Sequence, residues 1–262
     1  MSDPNPKVST LHCLQQGNGP ALVLLHAFPV DARMWQGQLA DLSSRFRVIA
    51  PDFGGFGQSP LAGPFTVGSM ADDIHQLLHG LGAPPCVLAG ISMGGYVAMQ
   101  IARKYPQDLR GLILVDTKDT ADTAEQRENR TRMIEVARTR GSTAVADLMF
   151  PKMLSPDTVD HRPEQARFLR QMMESCPAPT IEHALAALRD RPDMSEELPK
   201  IATPTLIVVG DADSITPISV AEAMQRKIPG AKLAVINGAG HMSPLEQPSQ
   251  VNRAIRQLID AL

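Results

Sequence analysis

The chain has 262 residues, 43% of them apolar, and a net charge of −3. That length suits one large domain or one domain with an insertion, and the charge excludes the basic footprint of a nucleic-acid binder. Cys13, Cys86 and Cys176 are widely spaced with no C-x-x-C pattern, which argues against a disulfide framework or a zinc site and for reduced thiols in a cytoplasmic compartment. The N-terminus has no cationic flank leading into a long apolar stretch, so neither a signal peptide nor a membrane span is expected.

Residues 7–16 alternate weakly and suggest an edge strand. Ala21 to Leu25 reads as a buried strand running into the loop His26-Ala27-Phe28-Pro29. Asp31 can cap a helix reaching about Ser44, with Met34, Trp35, Leu39 and Leu42 near helical spacing. Phe46 to Ala50 is the next strand. The loop Asp52-Phe53-Gly54-Gly55-Phe56-Gly57-Gln58-Ser59 contains no G-x-G-x-x-G and leads into no helix, which argues against a dinucleotide cofactor. Its glycines read as tight structural turns. Thr66 caps a second helix, with Val67, Met70, Ile74, Leu77, Leu78 and Leu81 on one face.

Pro85 to Tyr105 begins as a buried strand, Val87-Leu88-Ala89, and ends as an amphipathic helix bearing Val97, Ile101 and Ala102. Between them stands Gly90-Ile91-Ser92-Met93-Gly94, a G-x-S-x-G pattern followed by Gly95. A strand that turns directly into a helix bends sharply and strains the residue at the bend. Side chains at Gly90 and Gly94 would collide there. The bend lifts the Ser92 hydroxyl clear of the backbone and aims the Met93 N–H at any anion forming beside it. Leu109 to Val115 is a further strand, ending at Asp116-Thr117.

Strands alternating with helices imply a parallel sheet covered on both faces. After Thr117 the alternation stops. From Lys118 to about Lys200 only helices are expected, over 123–140, 163–176 and 180–190, rich in methionine. A strand at Thr205 to Val209, a helix near 218–228, a strand at Lys232 to Ile236 and a last helix bearing Val251, Ile255, Leu258 and Ile259 restore the rhythm.

In an open parallel sheet, ligands bind beyond the carboxyl ends of the strands. The His26–Phe28 loop, Ser92, Asp213 and His241 all fall at such ends. A serine hydroxyl needs a base to attack at neutral pH, and an imidazole base needs an anion to fix its tautomer. Ser92, Asp213 and His241 supply these groups in the chain order Ser…Asp…His. Asp211 and Asp116 are rivals for the acid. The G-x-x-D-x-x-x-P pattern from Gly210 to Pro217 favours Asp213. His12, His75, His79, His161 and His183 fall on expected surfaces or in the helical insertion and read as structural.

The stretches HAFP at 26–29, DFGGFGQS at 52–59, GISMGG at 90–95, GDADSITP at 210–217 and GAGHMSPLEQP at 238–248 resemble the small capped members of the α/β-hydrolase superfamily. The resemblance implies an α/β-hydrolase fold: a mostly parallel central sheet flanked by helices, with a helical cap inserted after the strand ending near Thr117. The core would comprise 1–117 and 201–262, and the cap 118–200. It further implies Ser92 as nucleophile, His241 as base, Asp213 as acid, and the Phe28 and Met93 N–H groups as oxyanion hole, with no cofactor and no metal. His26 would shape its loop. Similar proteins usually carry glycine where Ala27 stands, and enol-lactonases often carry a polar loop there.

The implied activity is hydrolysis of small carboxylic esters or lactones, with enol-lactonase and perhydrolase chemistry as alternatives on the same acyl-enzyme. A ligand-sensing protein with vestigial turnover is the alternative from another class. Leu148, Met149, Met153 and Met172 are candidate pocket residues, since flexible thioethers fit varied ligands. Arg127, Arg130, Arg132 and Glu135 read mostly as solvated faces. One arginine turned inward would favour a substrate bearing a carboxylate.

Overall fold

The computed structural model describes residues 10–262. The described residues form a seven-stranded sheet in the order β1-β3-β2-β4-β5-β6-β7. The strands are β1 (Cys13–Gln16), β2 (Ala21–Leu25), β3 (Arg47–Pro51), β4 (Cys86–Ile91), β5 (Leu109–Val115), β6 (Thr205–Gly210) and β7 (Lys232–Ile236). β1 pairs antiparallel with β3 at one edge, and every other pairing is parallel. β1 covers the second half of the expected edge strand, and residues 7–9 lie outside the described residues.

The central strands are buried on both faces, and their side chains divide by strict alternation. Val23, Leu25, Leu88, Leu112 and Leu114 join one core layer, with α2 (Val67–Gly80), α3 (Met93–Lys104) and α8 (Ile218–Lys227). Leu22, Leu24, Val87, Ala89, Ile113 and Val115 join the other, with α1 (Gln36–Leu42), α9 (Ser243–Glu246) and α10 (Pro248–Ile259). The apolar faces expected for α2 and α10 are those that pack: Met70, Ile74 and Leu78 in the first layer, Val251, Ile255 and Leu258 in the second.

Local chemistry sets the helix starts. Thr66 accepts from the Ser69 N–H while Ser69 Oγ accepts from the Thr66 N–H, a reciprocal cap. Asp31 caps as expected, accepting from the Arg33 N–H. It opens a 3-10 turn, Ala32–Trp35, rather than the single helix to Ser44 that the spacing suggests, and α1 begins only at Gln36. The 3-10 turn buries both Met34 and Trp35.

Between β5 and β6 lie four helices: α4 (Ala124–Met149), α5 (Pro156–His161), α6 (Pro163–Ser175) and α7 (Ala178–Arg189). They form a helical cap region. α4 continues beyond the expected 123–140 but breaks at Gly141, whose φ of 75° leaves the helical region. The periodicity misses α5 because it is one short polar turn, opened by Ser155, which accepts from the Thr158 N–H.

Candidate active site

β4 ends at Ile91 and α3 begins at Met93, leaving Ser92 alone at the bend with φ 50° and ψ −111°. An L residue seldom adopts that conformation, so the surroundings must hold it. The Ser92 N–H donates to Val115 O at 2.9 Å, and Thr117 Oγ1 donates to Ser92 O at 2.9 Å. A Cβ on Gly90 would meet Gly94 O at 2.2 Å, and one on Gly94 would meet Leu25 O at 2.4 Å. The glycines around Ser92 are therefore steric requirements of the bend.

The loop after β7 brings His241 over Ser92. His241 Nε2 lies 2.9 Å from Ser92 Oγ, and Nδ1 lies 2.8 Å from Asp213 Oδ2. A carboxylate can only accept, so Nδ1 carries the proton and Nε2 is left to accept from the serine hydroxyl. Asp213 is fixed in turn by the Ile215 N–H at 2.8 Å, the Thr216 N–H at 3.0 Å and Thr216 Oγ1 at 2.6 Å. His241 and Asp213 are buried, whereas Ser92 is partly open to solvent.

Electrostatics tune the pair. Burial pushes the His241 imidazole down, but the charge and hydrogen bond of Asp213, then the charges of Asp116 and Glu246, outweigh it and hold it above its ordinary value. Burial pushes Asp213 up, and His241 with the Thr216 donors brings it below the usual carboxylate range. Asp116 behaves oppositely. Burial first, and the Asp213 charge second, push its carboxyl up to about 8.

Asp116 does not reach the imidazole by a hydrogen bond. Its Oδ1 accepts from the Gly210 N–H at 2.9 Å and its Oδ2 from the Ser243 N–H at 3.1 Å, tying the ends of β5, β6 and the His241 loop. Asp211 accepts from the Gly238 and Ala239 N–H groups at 2.9 and 3.3 Å, bracing the same loop. Among the described residues, the Phe28 and Met93 N–H groups donate to no protein acceptor.

A family model for the alpha/beta hydrolase fold matches residues 20–248. The chain belongs to the α/β-hydrolase family. It is 42% identical to a thermophilic esterase from Thermogutta terrifontis, whose malate-bound structure superposes with a TM-score of 0.93 over 96% of this chain and 93% of that one. It is 32% identical to the AB hydrolase superfamily protein YisY of Bacillus subtilis, over 95% of this chain and 94% of that protein. It is 30% identical to 3-oxoadipate enol-lactonase 1 of Acinetobacter baylyi, over 89% of this chain and 86% of that protein.

Two further loops of this α/β-hydrolase meet at His26, and the first runs beside the bend, where a Cβ on Gly94 would meet His26 O at 2.9 Å. His26 is buried, with Nδ1 2.8 Å from Ala27 O and Nε2 accepting from the Phe53 N–H at 3.1 Å. Burial lowers its basicity, so it serves as a neutral brace between the two loops. Asp52 accepts from the Ala32 N–H at 2.8 Å and the Gln58 N–H at 3.0 Å, and a Cβ on Gly57 would meet its carboxylate at 2.3 Å.

The expected pocket residues separate. Leu148 is 55% exposed, too open to wall an enclosed pocket. Met153 and Met172 are buried in the core layer that contains Met242, and Met149 packs partly against both layers. Met172 also lines a cavity of about 290 Å³ beside Pro29, Asp31, Phe56 and Cys176, which Ser92 and His241 do not border.

An inward-turned arginine exists in Arg191, whose guanidinium lies 4.3 Å from the centre of the Tyr96 ring. Its Nη donors reach Asp122 at 2.8 Å, Leu188 O at 2.7 Å and Thr120 O at 2.9 Å, while its buried Nε has no partner among the described residues. Sequence reasoning missed Glu246 and Thr216. Thr216 lies within the GDADSITP stretch and Glu246 within GAGHMSPLEQP, so both could have been weighed as supports, although neither stretch marks the residue as buried.

Proposed function

We propose that this α/β-hydrolase cleaves small carboxylic esters or lactones through an acyl-enzyme on Ser92. The observation that carries the reading is the continuous hydrogen-bonded line from Ser92 through His241 to Asp213, at 2.9 and 2.8 Å. In the proposed reaction His241 Nε2 takes the hydroxyl proton as Ser92 Oγ attacks the ester carbonyl. The tetrahedral anion receives the otherwise unengaged Phe28 and Met93 N–H groups. The imidazolium, stabilised by Asp213, returns the proton to the departing alcohol. Water deprotonated by the same imidazole then releases the acid.

Both the esterase from Thermogutta terrifontis and the enol-lactonase from Acinetobacter baylyi support acyl chemistry on oxygen esters. The charge of Arg191 is already met by Asp122 at 2.8 Å, which favours neutral esters over lactones that bear a carboxylate. Buried Asp213 and His241 in working register favour turnover over ligand sensing.

Labelling with a fluorophosphonate, together with hydrolysis of short p-nitrophenyl esters, tests the reading. Both are expected in the native chain, and both should vanish in Ser92→Ala. Retention of esterase activity in Ser92→Ala would overturn the assignment, and a single acylation without turnover would favour the sensor. Enol-lactone hydrolysis or peracid formation faster than ester hydrolysis would move the function to those alternatives.

A further inference from the structure

At the other end of the sheet, His75 and His79 stand one turn apart on α2, facing Asp108 in the 3-10 turn Pro106–Asp108 that leads into β5. His75 Nδ1 lies 2.7 Å from Asp108 Oδ2, and His79 Nε2 lies 3.1 Å from both carboxylate oxygens. One ligand atom from each of the three residues lies within 4.8 Å of the others. We propose that His75, His79 and Asp108 form a binding site for a divalent metal ion of the zinc type, on the side of the molecule opposite Ser92.

Three features carry this beyond a surface hydrogen-bond cluster. First, the Asp108 side chain is only 4% exposed, and among the described residues its carboxylate pairs with nothing but the two imidazoles. A buried carboxylate demands compensating positive charge, which protons on the rings or a shared cation would supply. Second, the His75 ring is already oriented. It stacks on Tyr105 at 3.7 Å with 5° between planes, and Tyr105 is held by a 2.8 Å hydrogen bond to Asp72. Ligands fixed in this way lose little freedom on binding.

Third, the donor set suits the ion. Two imidazoles and a carboxylate with an open position is a zinc ligand set, with bonds of about 2.0–2.2 Å. Tetrahedral bonds of that length place ligand atoms about 3.4 Å apart, so His75 Nδ1 must draw back from Asp108 by about 0.7 Å and His79 Nε2 by about 0.3 Å to admit the ion. His79, 52% exposed, can make that adjustment and leaves room for a water at the fourth position. Cys86 does not join the set, since the ligand atoms that come within 4.8 Å of one another are those of His75, His79 and Asp108.

The full chain, freed of metal by a chelator, is titrated with Zn²⁺ by calorimetry at pH 7.5. Two double variants accompany it: His75→Ala/His79→Ala and, as a control, His161→Ala/His183→Ala. One zinc per native chain is expected, unchanged in the control and weaker by at least about tenfold in His75→Ala/His79→Ala. The single variant His79→Ala, which removes a half-exposed ring, repeats the comparison should the double variant fold poorly. Equal zinc affinity in the native chain and in the His75 and His79 variants would overturn the proposal. So would the absence of binding to the native chain at about 100 μM free zinc, a level at which even a modest three-ligand site should fill.

Discussion

Glu246 Oε2 accepts from the Ser155 N–H of the cap at 2.8 Å, while Oε1 accepts from the Gly240 N–H at 2.8 Å and the Met242 N–H at 3.3 Å. One buried carboxylate thus fixes the backbone on both sides of His241 and binds that loop to the start of α5. The approach is close: a Cβ on Gly240 would meet the Ser155 N at 2.6 Å. Glu246→Ala would leave these N–H groups without their acceptor, at about 1–3 kcal/mol for each that finds no substitute. A loss of about 3 kcal/mol in urea unfolding is expected, with kcat falling more than KM rises as the imidazole loses its support. Glu246→Gln keeps one acceptor oxygen and should lose about half as much. Native stability in both variants would show that the cap and the His241 loop hold themselves in place.

The two buried aspartates make a second comparison. Asp213→Asn should lower kcat by about 10⁴, because an amide facing Nδ1 favours the tautomer that cannot accept from Ser92. Asp116→Asn should cost less than about tenfold. Its oxygens meet the Gly210 and Ser243 N–H groups rather than the imidazole, so the amide leaves the Asp213–His241 hydrogen bond in place. Steady-state ester hydrolysis of the two variants decides, and the reverse order would transfer the acid role to Asp116.

The contrast between these residues explains what could be read in advance. The alternation of strands and helices and the Gly90–Gly95 bend depend on short-range spacing, so the sequence carried them, whereas the hydrogen-bonded approach of His241 to Ser92 and Asp213 joins groups distant in the chain, each placed beyond a strand end. The break at Gly141 has no periodic signature, because the apolar side chains before and after it belong to helices with different orientations. Glu246 and Asp116 were illegible as supports because their roles depend on burial against segments distant in the chain. Leu148 shows the same limit from the other side. Its apolar character suggested a pocket, but its place on the helix surface sets its exposure.

Glycine substitutions should separate steric from conformational demands. Gly94→Ala would drive a methyl to 2.4 Å from Leu25 O and 2.7 Å from Leu25 C, main-chain atoms of a central strand that cannot retreat cheaply. Loss of fluorophosphonate labelling is expected, with destabilisation of roughly 1–3 kcal/mol or more. Gly141→Ala meets no atom within 4 Å, but its φ of +75° is unfavourable for an L side chain. That change should cost about 1 kcal/mol and leave labelling intact. Thermal unfolding and active-site labelling of both variants check the pair.

The pH profile tests the balance around His241. The imidazole acts as a base only when neutral, so kcat/KM should rise with pH as the proton leaves. Because Asp213, Asp116 and Glu246 together outweigh burial, this limb should lie above the ordinary histidine value of 6.5. Asp213→Asn removes the leading opposing charge and hydrogen bond, leaving burial dominant, so the limb should move to lower pH while the plateau falls. Stability should run the other way from activity. A histidine whose folded pKa is raised adds stability that is complete below its unfolded pKa and lost as pH rises through the folded one. Paired measurements of kcat/KM and urea unfolding from pH 5 to 9 should therefore show activity gained over the window in which this contribution to stability is lost. A native limb below 6.5, unmoved in Asp213→Asn, would mean that desolvation rather than the carboxylate sets the basicity of His241.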